Sequence, residues 1–198
     1  MPTDPLSRPA SEAEAVTAKI HGRSVVLREG DLVFSRFTWW SSTLLSLTNS
    51  GMSHVATVCK LDGKLCLVSV CSSSWTDAKN RHWPAGVTSE AIDTLNDPAY
   101  RHAWLVRPHV PRTQAQTALL RIGAETCRQG VNDAHKYDGM AEFVHTALHL
   151  QPATRTRWHC AELAAHLAAG CGAFSGPTES CTLPACARGV GDRYERLF

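Results

Sequence analysis

No apolar run in this 198-residue chain approaches the ~20 residues needed to cross a bilayer, which excludes a membrane-spanning helix. The N-terminus, Met1-Pro2-Thr3-Asp4-Pro5, lacks the basic stretch and apolar segment of a secretory leader, so none is expected. No Cys-x-x-Cys occurs among the eight irregularly spaced cysteines, which removes the zinc-ribbon and thioredoxin readings. Neither sign of charge dominates. The net charge is +2 and the basic residues are scattered, so no nucleic-acid stripe is present. There is no internal repeat. What remains is an ordinary globular composition. Hydrophobic residues make up 43% of the chain, enough for a core, and the length suits one domain.

The cysteines fall into two groups. Cys59, Cys66 and Cys71 lie in strand-like runs, where free Cys behaves as a small buried hydrophobe. Cys171, Cys181 and Cys186 crowd the C-terminal region. A disulfide there requires an oxidising compartment, and reduced thiols are the default for a chain without a leader.

Read for local structure, residues 1–10 form a tail, and Ser11-Glu12-Ala13-Glu14 is a capping-box pattern opening a short helix through about Ile20. Ser24–Leu27 and Leu32–Arg36 read as short strands around a turn at Gly30. Trp39–Thr48 suits one or two helical turns. Ser53–Leu61 and Lys64–Cys71 flank Asp62-Gly63, a strong two-residue hairpin signal. Residues 72–86 read as loop, Ser89–Leu95 as a short helix, and His102–Arg107 as a strand. Thr113–Gln129 reads as a helix: Thr113 caps it, Ala118, Leu119 and Ile122 give an apolar stripe, and Gly130 stops it. Gly139–Leu150 and Cys160–Ala169 are further helices, the second ended by Gly170, and the tail from Cys171 shows little periodicity. The expected fold is α+β: a small antiparallel β-sheet packed by helices on one side, with 1–20 as tail and short helix and 21–198 as a single domain.

Two residues carry the chemistry. Cys160 opens a helix, where unpaired N–H groups and the macrodipole favour a thiolate, and it shares a helical face with Leu163, Ala164, Leu167 and Cys171. His54 sits on a strand apolar on both faces, where an imidazole needs a partner. A thiol and an imidazole are the two parts of a cysteine hydrolase. The competing reading makes each a packing residue. If Asp62 and Gly63 form the turn, Leu61 faces Lys64, Ala56 faces Ser69 and His54 faces Cys71. Ser69 is then a same-face diagonal neighbour of His54, placed to hold the imidazole tautomer. Ser72, Ser73, Ser74 and Asp77 follow in the adjoining loop. His82, His102 and His109 are too scattered for a metal site. His145 and His149 sit at i, i+4 and His159 neighbours Cys160, but the Glu of a zincin motif is missing, so no metal or other cofactor is expected. Trp39, Trp40, Trp75 and Trp83 suit a core, or the lining of a cleft beside His54.

Gly30-Asp31-Leu32-Val33-Phe34, Ser53-His54-Val55, Tyr137-Asp138 and His159-Cys160-Ala161-Glu162-Leu163 together resemble the NlpC-type cell-wall cysteine peptidases of the papain-like superfamily. In ordinary members the cysteine precedes the other segments. Here it comes last, as in the circularly permuted branch that includes YiiX-like proteins and lecithin retinol acyltransferase. The matching segments run from residue 30 to about 170. The resemblance implies that 21–198 is a permuted papain-like catalytic domain, with Cys160 as nucleophile, His54 as general base, Tyr137 near the oxyanion and Asp31 fixing a turn. YiiX-type members often carry a carboxylate on the strand after the histidine, where this chain has Ser69, a weaker orienter. The implied activity is cleavage of an amide in peptidoglycan stem peptides. Without a leader, delivery as an antibacterial effector through type VI secretion into a rival's periplasm is the expected route, with an immunity protein as partner. Two alternatives stand beside it. One is acyl transfer or thioester/lipid hydrolysis, for which Trp39–Leu45 is the only apolar suggestion. The other is a catalytically silent binding module.

Overall fold

Asp62 and Gly63 take φ values of 49° and 75°, the left-handed pair that a two-residue turn between twisted strands requires. That turn joins β4 (His54–Leu61) to β5 (Lys64–Cys71) in the expected register, Leu61 opposite Lys64 and Thr57 opposite Val68. This computed structural model describes residues 15–38, 51–71, 73–108, 112–129, 159–174, 176, 178, 181–191 and 194–198. The expected helices at Trp39–Thr48 and Gly139–Leu150 lie outside them.

A second turn of the same kind corrects the N-terminal expectation. His21 and Gly22 have φ of 46° and 77°, and they join β1 (Ala15–Ile20) to β2 (Arg23–Arg28) as an antiparallel pair. Ala15–Ile20 is therefore strand rather than helix. Val16, Thr17 and Ile20 are β-branched and suit a pleated surface, and the downstream hairpin outweighs the capping-box pattern.

The main sheet has six antiparallel strands in the order β10-β9-β3-β4-β5-β8. β3 spans Leu32–Phe37, β8 Gly86–Ala91, β9 Tyr100–Val106 and β10 Tyr194–Arg196. A small pair, β6 (Trp75–Thr76) with β7 (His82–Trp83), stands within the expected loop. The expected helix at Ser89–Leu95 is half strand: β8 runs through Ala91, and only Ile92–Asn96 is helical, as a 3-10 segment. The helices described are α1 (Gln114–Gln129), α2 (Cys160–Gly170) and α3 (Leu183–Val190). α3 and β10 occupy the tail that shows little periodicity. Thr182 caps α3 by accepting from the Ala185 N–H at 3.3 Å. The protein is α+β.

Strand alternation assigns each residue to one of two faces. Ser35 pairs with His54 and Val33 with Ala56, and these share a face with Val58, Leu67 and Leu105. The β1–β2 hairpin covers that face through Ile20, Val25 and Leu27, together with Leu95, Trp75 and Tyr100. The helices cover the other face. There Leu32, Phe34, Val55 and Val106 meet Cys160, Ala161, Ala164 and Leu183, and Cys59, Val68 and Val70 meet Leu120, Ala124, Leu163 and Leu167. β4 is thus buried on both faces, which explains its nearly continuous apolar run.

α1 turns a different side inward than its apolar stripe suggests. Thr117, Leu120, Ala124 and Cys127 are buried, whereas Leu119 is 52% and Ile122 62% exposed. The hydroxyl of Thr113 does accept from the Gln116 N–H at the helix start, as expected.

The turn at Gly30 is held from inside. Arg112 is buried and donates from Nη1 to the Glu29 carbonyl (2.9 Å), from Nη2 to the Gly30 carbonyl (3.1 Å) and from Nε to Cys171 Sγ (3.3 Å). Gly30 has φ +81°, and a Cβ there would lie 1.0 Å from Arg112 Nη1. Asp31 closes the turn by accepting the Arg28 N–H at 2.9 Å. Burial pushes its carboxyl up to about 6, opposed by that backbone donor and by the Arg107 and Arg112 guanidiniums.

Gly30→Ala meets both left-handed strain and the guanidinium, so it should lower unfolding stability by roughly 2–5 kcal/mol in urea titration. On α1, Leu120→Ala should cost ~2–5 kcal/mol. Leu119→Ala should stay within ~0.5 kcal/mol. Equal losses at Leu119 and Leu120 would contradict the helix orientation.

Candidate active site

α2 begins at Cys160. Its N-cap, His159, has extended backbone (φ −107°, ψ 166°), and the Glu162 carboxylate reaches back to the His159 N–H at 3.4 Å. The same carboxylate stands 3.4 Å from His159 Nε2, within ion-pair range if the ring is protonated. His159 is buried. Cys160 is 1% exposed and belongs to one buried cluster with Leu32, Phe34, Met52 and Val55. The face expected from helical spacing is buried as a set, Cys160, Leu163, Ala164, Leu167 and Cys171 alike.

His54 is the first residue of β4, one position before Val55. Its side chain goes to the other side of the sheet. The imidazole meets Phe37 edge-on, with ring centroids 5.2 Å apart, and Nε2 has no hydrogen-bond partner among the described residues. His54 is 6% exposed, and burial alone pushes its pKa down to about 4. The ring is therefore neutral at pH 7, with its base function intact but weak. The thiol of Cys160 thus lies in the helix-side layer and the imidazole of His54 on the hairpin side of the sheet.

Ser69 shares the imidazole's face by alternation and is buried. Its hydroxyl lies 3.9 Å from Cys71 Sγ. The β4–β5 ladder starts at Thr57 and Val68, so the expected pairs Ala56–Ser69 and His54–Cys71 fall beyond it. Ser69 is paired across β8 with Thr88 instead. Tyr137 lies outside the described residues, as do Trp39, Trp40, Ser72, His109, His145 and His149. Asp77 holds its own loop: it accepts from the N–H groups of Lys79 and Arg81 (2.9 Å each) and from Arg81 Nε at 2.7 Å. Trp83 packs against Arg81 in that loop, and Trp75 is a core residue contacting Phe37.

Sequence reasoning missed Glu90, a fully buried carboxyl on β8 that faces the same side as His54. Tyr100 Oη donates to it at 2.9 Å and the Cys71 thiol at 3.7 Å. Burial raises its pKa, against the effect of Tyr100, Trp75, Thr94 and Cys71. Reading Ser89–Leu95 as helix hid it. The signal was available in Gly86-Val87-Thr88, a turn residue followed by two β-branched residues. Tyr100 also stacks on Phe37 at 4.5 Å, so the ring set of Phe37, Trp75 and Tyr100 links Glu90 to the imidazole.

No family model matches the chain, and no curated protein matches it. Among solved structures its fold is similar to that of metalloprotein YiiX from Escherichia coli O157:H7, with a TM-score of 0.50 and 14% identity over 74% of this chain and 69% of that one. At that identity the likeness speaks to fold alone. The word metalloprotein describes that protein. Among the described residues here, no group of three or more His, Cys, Asp or Glu side chains is placed to hold a metal ion. No helix among them is long and apolar enough to cross a membrane.

The depressed pKa of His54 has a stability consequence. The unfolded imidazole protonates near 6.5 and the folded one only near 4, so the unfolded state binds the proton first. Stability from this group is full above pH 6.5 and is lost as pH falls toward 4. Urea titrations of wild type and His54→Phe at the two ends of that window should show the difference between them shifting by roughly 3 kcal/mol in favour of the variant on acidification. An unchanged difference would mean the imidazole is solvated.

Proposed function

We propose that the protein is a cysteine hydrolase in which Cys160 is the nucleophile, acting on an amide bond of peptidoglycan stem peptides. The observation that carries this reading is the thiol at the first position of α2, a helix packed on β4, in one buried cluster with Val55, the residue that follows His54. A helix N-terminus supplies N–H groups and a dipole that favour a thiolate and the oxyanion that follows its attack. The fold likeness to YiiX supports the permuted NlpC-type arrangement, in which thiol and imidazole come from opposite ends of the chain. In this reading the imidazole takes the thiol proton, the thiolate attacks the carbonyl carbon, the amine leaves with that proton from the imidazole, and water, deprotonated by the same imidazole, releases the acyl group and restores the thiol. His54 must then turn from its Phe37 contact toward Cys160 when substrate binds. Tyr137 is the proposed oxyanion partner. Ser69 serves as an indirect support through Cys71. The site of action is the periplasm of a target bacterium, reached by type VI delivery, with an immunity protein as the partner.

One observation favours a second reading. The imidazole faces away from the thiol, with no partner at Nε2. A binding module that has lost catalysis would keep that arrangement permanently.

Isolated sacculi incubated with wild type and with Cys160→Ala separate the two. Stem-peptide fragments seen by mass spectrometry with wild type, and reduced at least ~10³-fold in the variant, are the expected result. A folded wild type that releases nothing, and whose Cys160 alkylates no faster than an ordinary thiol, would leave only the binding module.

A further inference from the structure

We propose that Cys181 and Cys186 form an oxidisable pair that closes into a disulfide across the first turn of α3, against the cluster that holds Cys160. Cys181 immediately precedes the cap residue Thr182, and Cys186 is the fourth helical residue. Those two positions often pack against each other at a helix start, as an apolar pair that fixes the entry angle of the chain. Here the pair is two thiols. Both are free and buried, and both belong to one packed cluster with Cys160, Ala161 and Leu183. The Cys186 thiol lies in contact with that of Cys181. This contact and burial push its pKa well up, with a smaller push from the nearby Cys160.

The geometry selects the partner. Cys181 touches Cys186 directly, whereas Cys160, on α2, exerts the smaller influence on it. Cys171, the remaining cysteine of this region, is engaged by Arg112 Nε and by the Ala168 carbonyl. A bridge between Cys181 and Cys186 also leaves the rest of α3 where it stands, because the pair spans a single turn of one element.

The chemistry is thiol–disulfide exchange with a small-molecule disulfide such as oxidised glutathione. The Cys181 thiolate attacks one sulfur of the reagent and releases one thiolate, leaving a mixed disulfide. The Cys186 thiolate then attacks the Cys181 sulfur and releases the second. Two protein thiols are oxidised to one disulfide, the reagent disulfide is reduced to two thiols, and the two protons given up by the protein thiols are taken up by the two released thiolates. The raised pKa of Cys186 and the burial of both sulfurs make the reaction slow at neutral pH and faster as pH rises.

The test uses the full chain, incubated with oxidised glutathione at mildly alkaline pH, then denatured, alkylated and cut with a glutamate-specific protease. Cleavage after Glu162 and Glu179 places Cys160, Cys171 and the Cys181–Cys186 pair on separate peptides. The expected product is the peptide beginning at Ser180, unalkylated and lighter by two hydrogen atoms, with the other six cysteines alkylated. Its formation should raise the thermal midpoint by roughly 4–8 °C, and a thiol reductant should reverse both changes. Cys181→Ser and Cys186→Ser should each abolish the product. A cross-link from this peptide to the one carrying Cys160 or Cys171, or complete alkylation of Cys181 and Cys186 after oxidation of the wild type, overturns the proposal whether or not either variant folds.

Discussion

β4 has no solvent face, and the rest of the structure is arranged around that fact. One side of the strand packs on the helices and the other on the β1–β2 hairpin, so every residue from His54 to Leu61 is committed to one layer by its parity. A shift of one residue would exchange the two layers at once. The register is fixed at Asp62-Gly63, at the far end of the strand from His54. A turn dipeptide therefore decides on which side of the sheet the imidazole lies. Near His54 the constraint loosens. Residues 54–56 are paired to β3 but not to β5, whose ladder with β4 begins at Thr57. The start of β4 is held along one edge only, and a rotation that carries an imidazole round a strand end is cheapest there.

The two layers solve their packing differently. The hairpin side is built from large rings and includes a buried polar set: Phe37, Trp75 and Tyr100 surround the route from His54 to Glu90. A buried carboxyl costs several kcal/mol unless it is hydrogen-bonded or neutral. Glu90 has both forms of relief, a donor at Tyr100 and a pKa shifted toward the protonated acid. Cys71 and Ser69 extend the same set toward the strand end. A buried polar set of this kind makes its layer intolerant of register errors, because a slip would strand it among aliphatic side chains.

Legibility followed the locality of the signal. Asp62-Gly63 names its turn by type, and the hairpin it closes is read without reference to anything distant. His21-Gly22 makes the same turn, but His-Gly is not among the dipeptides that signal it, and the capping-box pattern upstream points to a helix over the residues of β1. The helix at Cys160 was legible because its small and apolar residues recur at helical spacing and Gly170 follows. α1 was legible as a helix but not in its orientation. Its exposed Leu119 and Ile122 outweigh its buried Thr117, Ala124 and Cys127 in any reading that ranks residues by hydropathy alone. Parity along β4 was available too, yet the face chosen by α2 is a tertiary fact. Nothing local to Cys160 says on which side of β4 its helix will lie.

The cysteines follow that choice of side. Cys59, Cys66, Cys127 and Cys171 lie in one helix-side cluster and Cys160, Cys181 and Cys186 in the other, which leaves Cys71 alone beside Glu90. The same layer is rich in alanine: Ala161, Ala164, Ala165, Ala168 and Ala187 are all buried in it. A helix that presents Ala and Cys approaches a sheet more closely than one that presents Leu or Phe, and close approach replaces bulk as the source of dispersion contacts. Most thiols here are thus filling material of the right size. Two features set Cys160 apart within that layer. It stands where the helix leaves its N–H groups unspent, and it shares one buried cluster with Val55, on the stretch of the central strand that is paired along one edge only. A thiol serving only as filler needs neither. Their coincidence at one residue ties the packing layer to the proposed chemistry, and it places the mobile half of that chemistry on His54 rather than on the nucleophile.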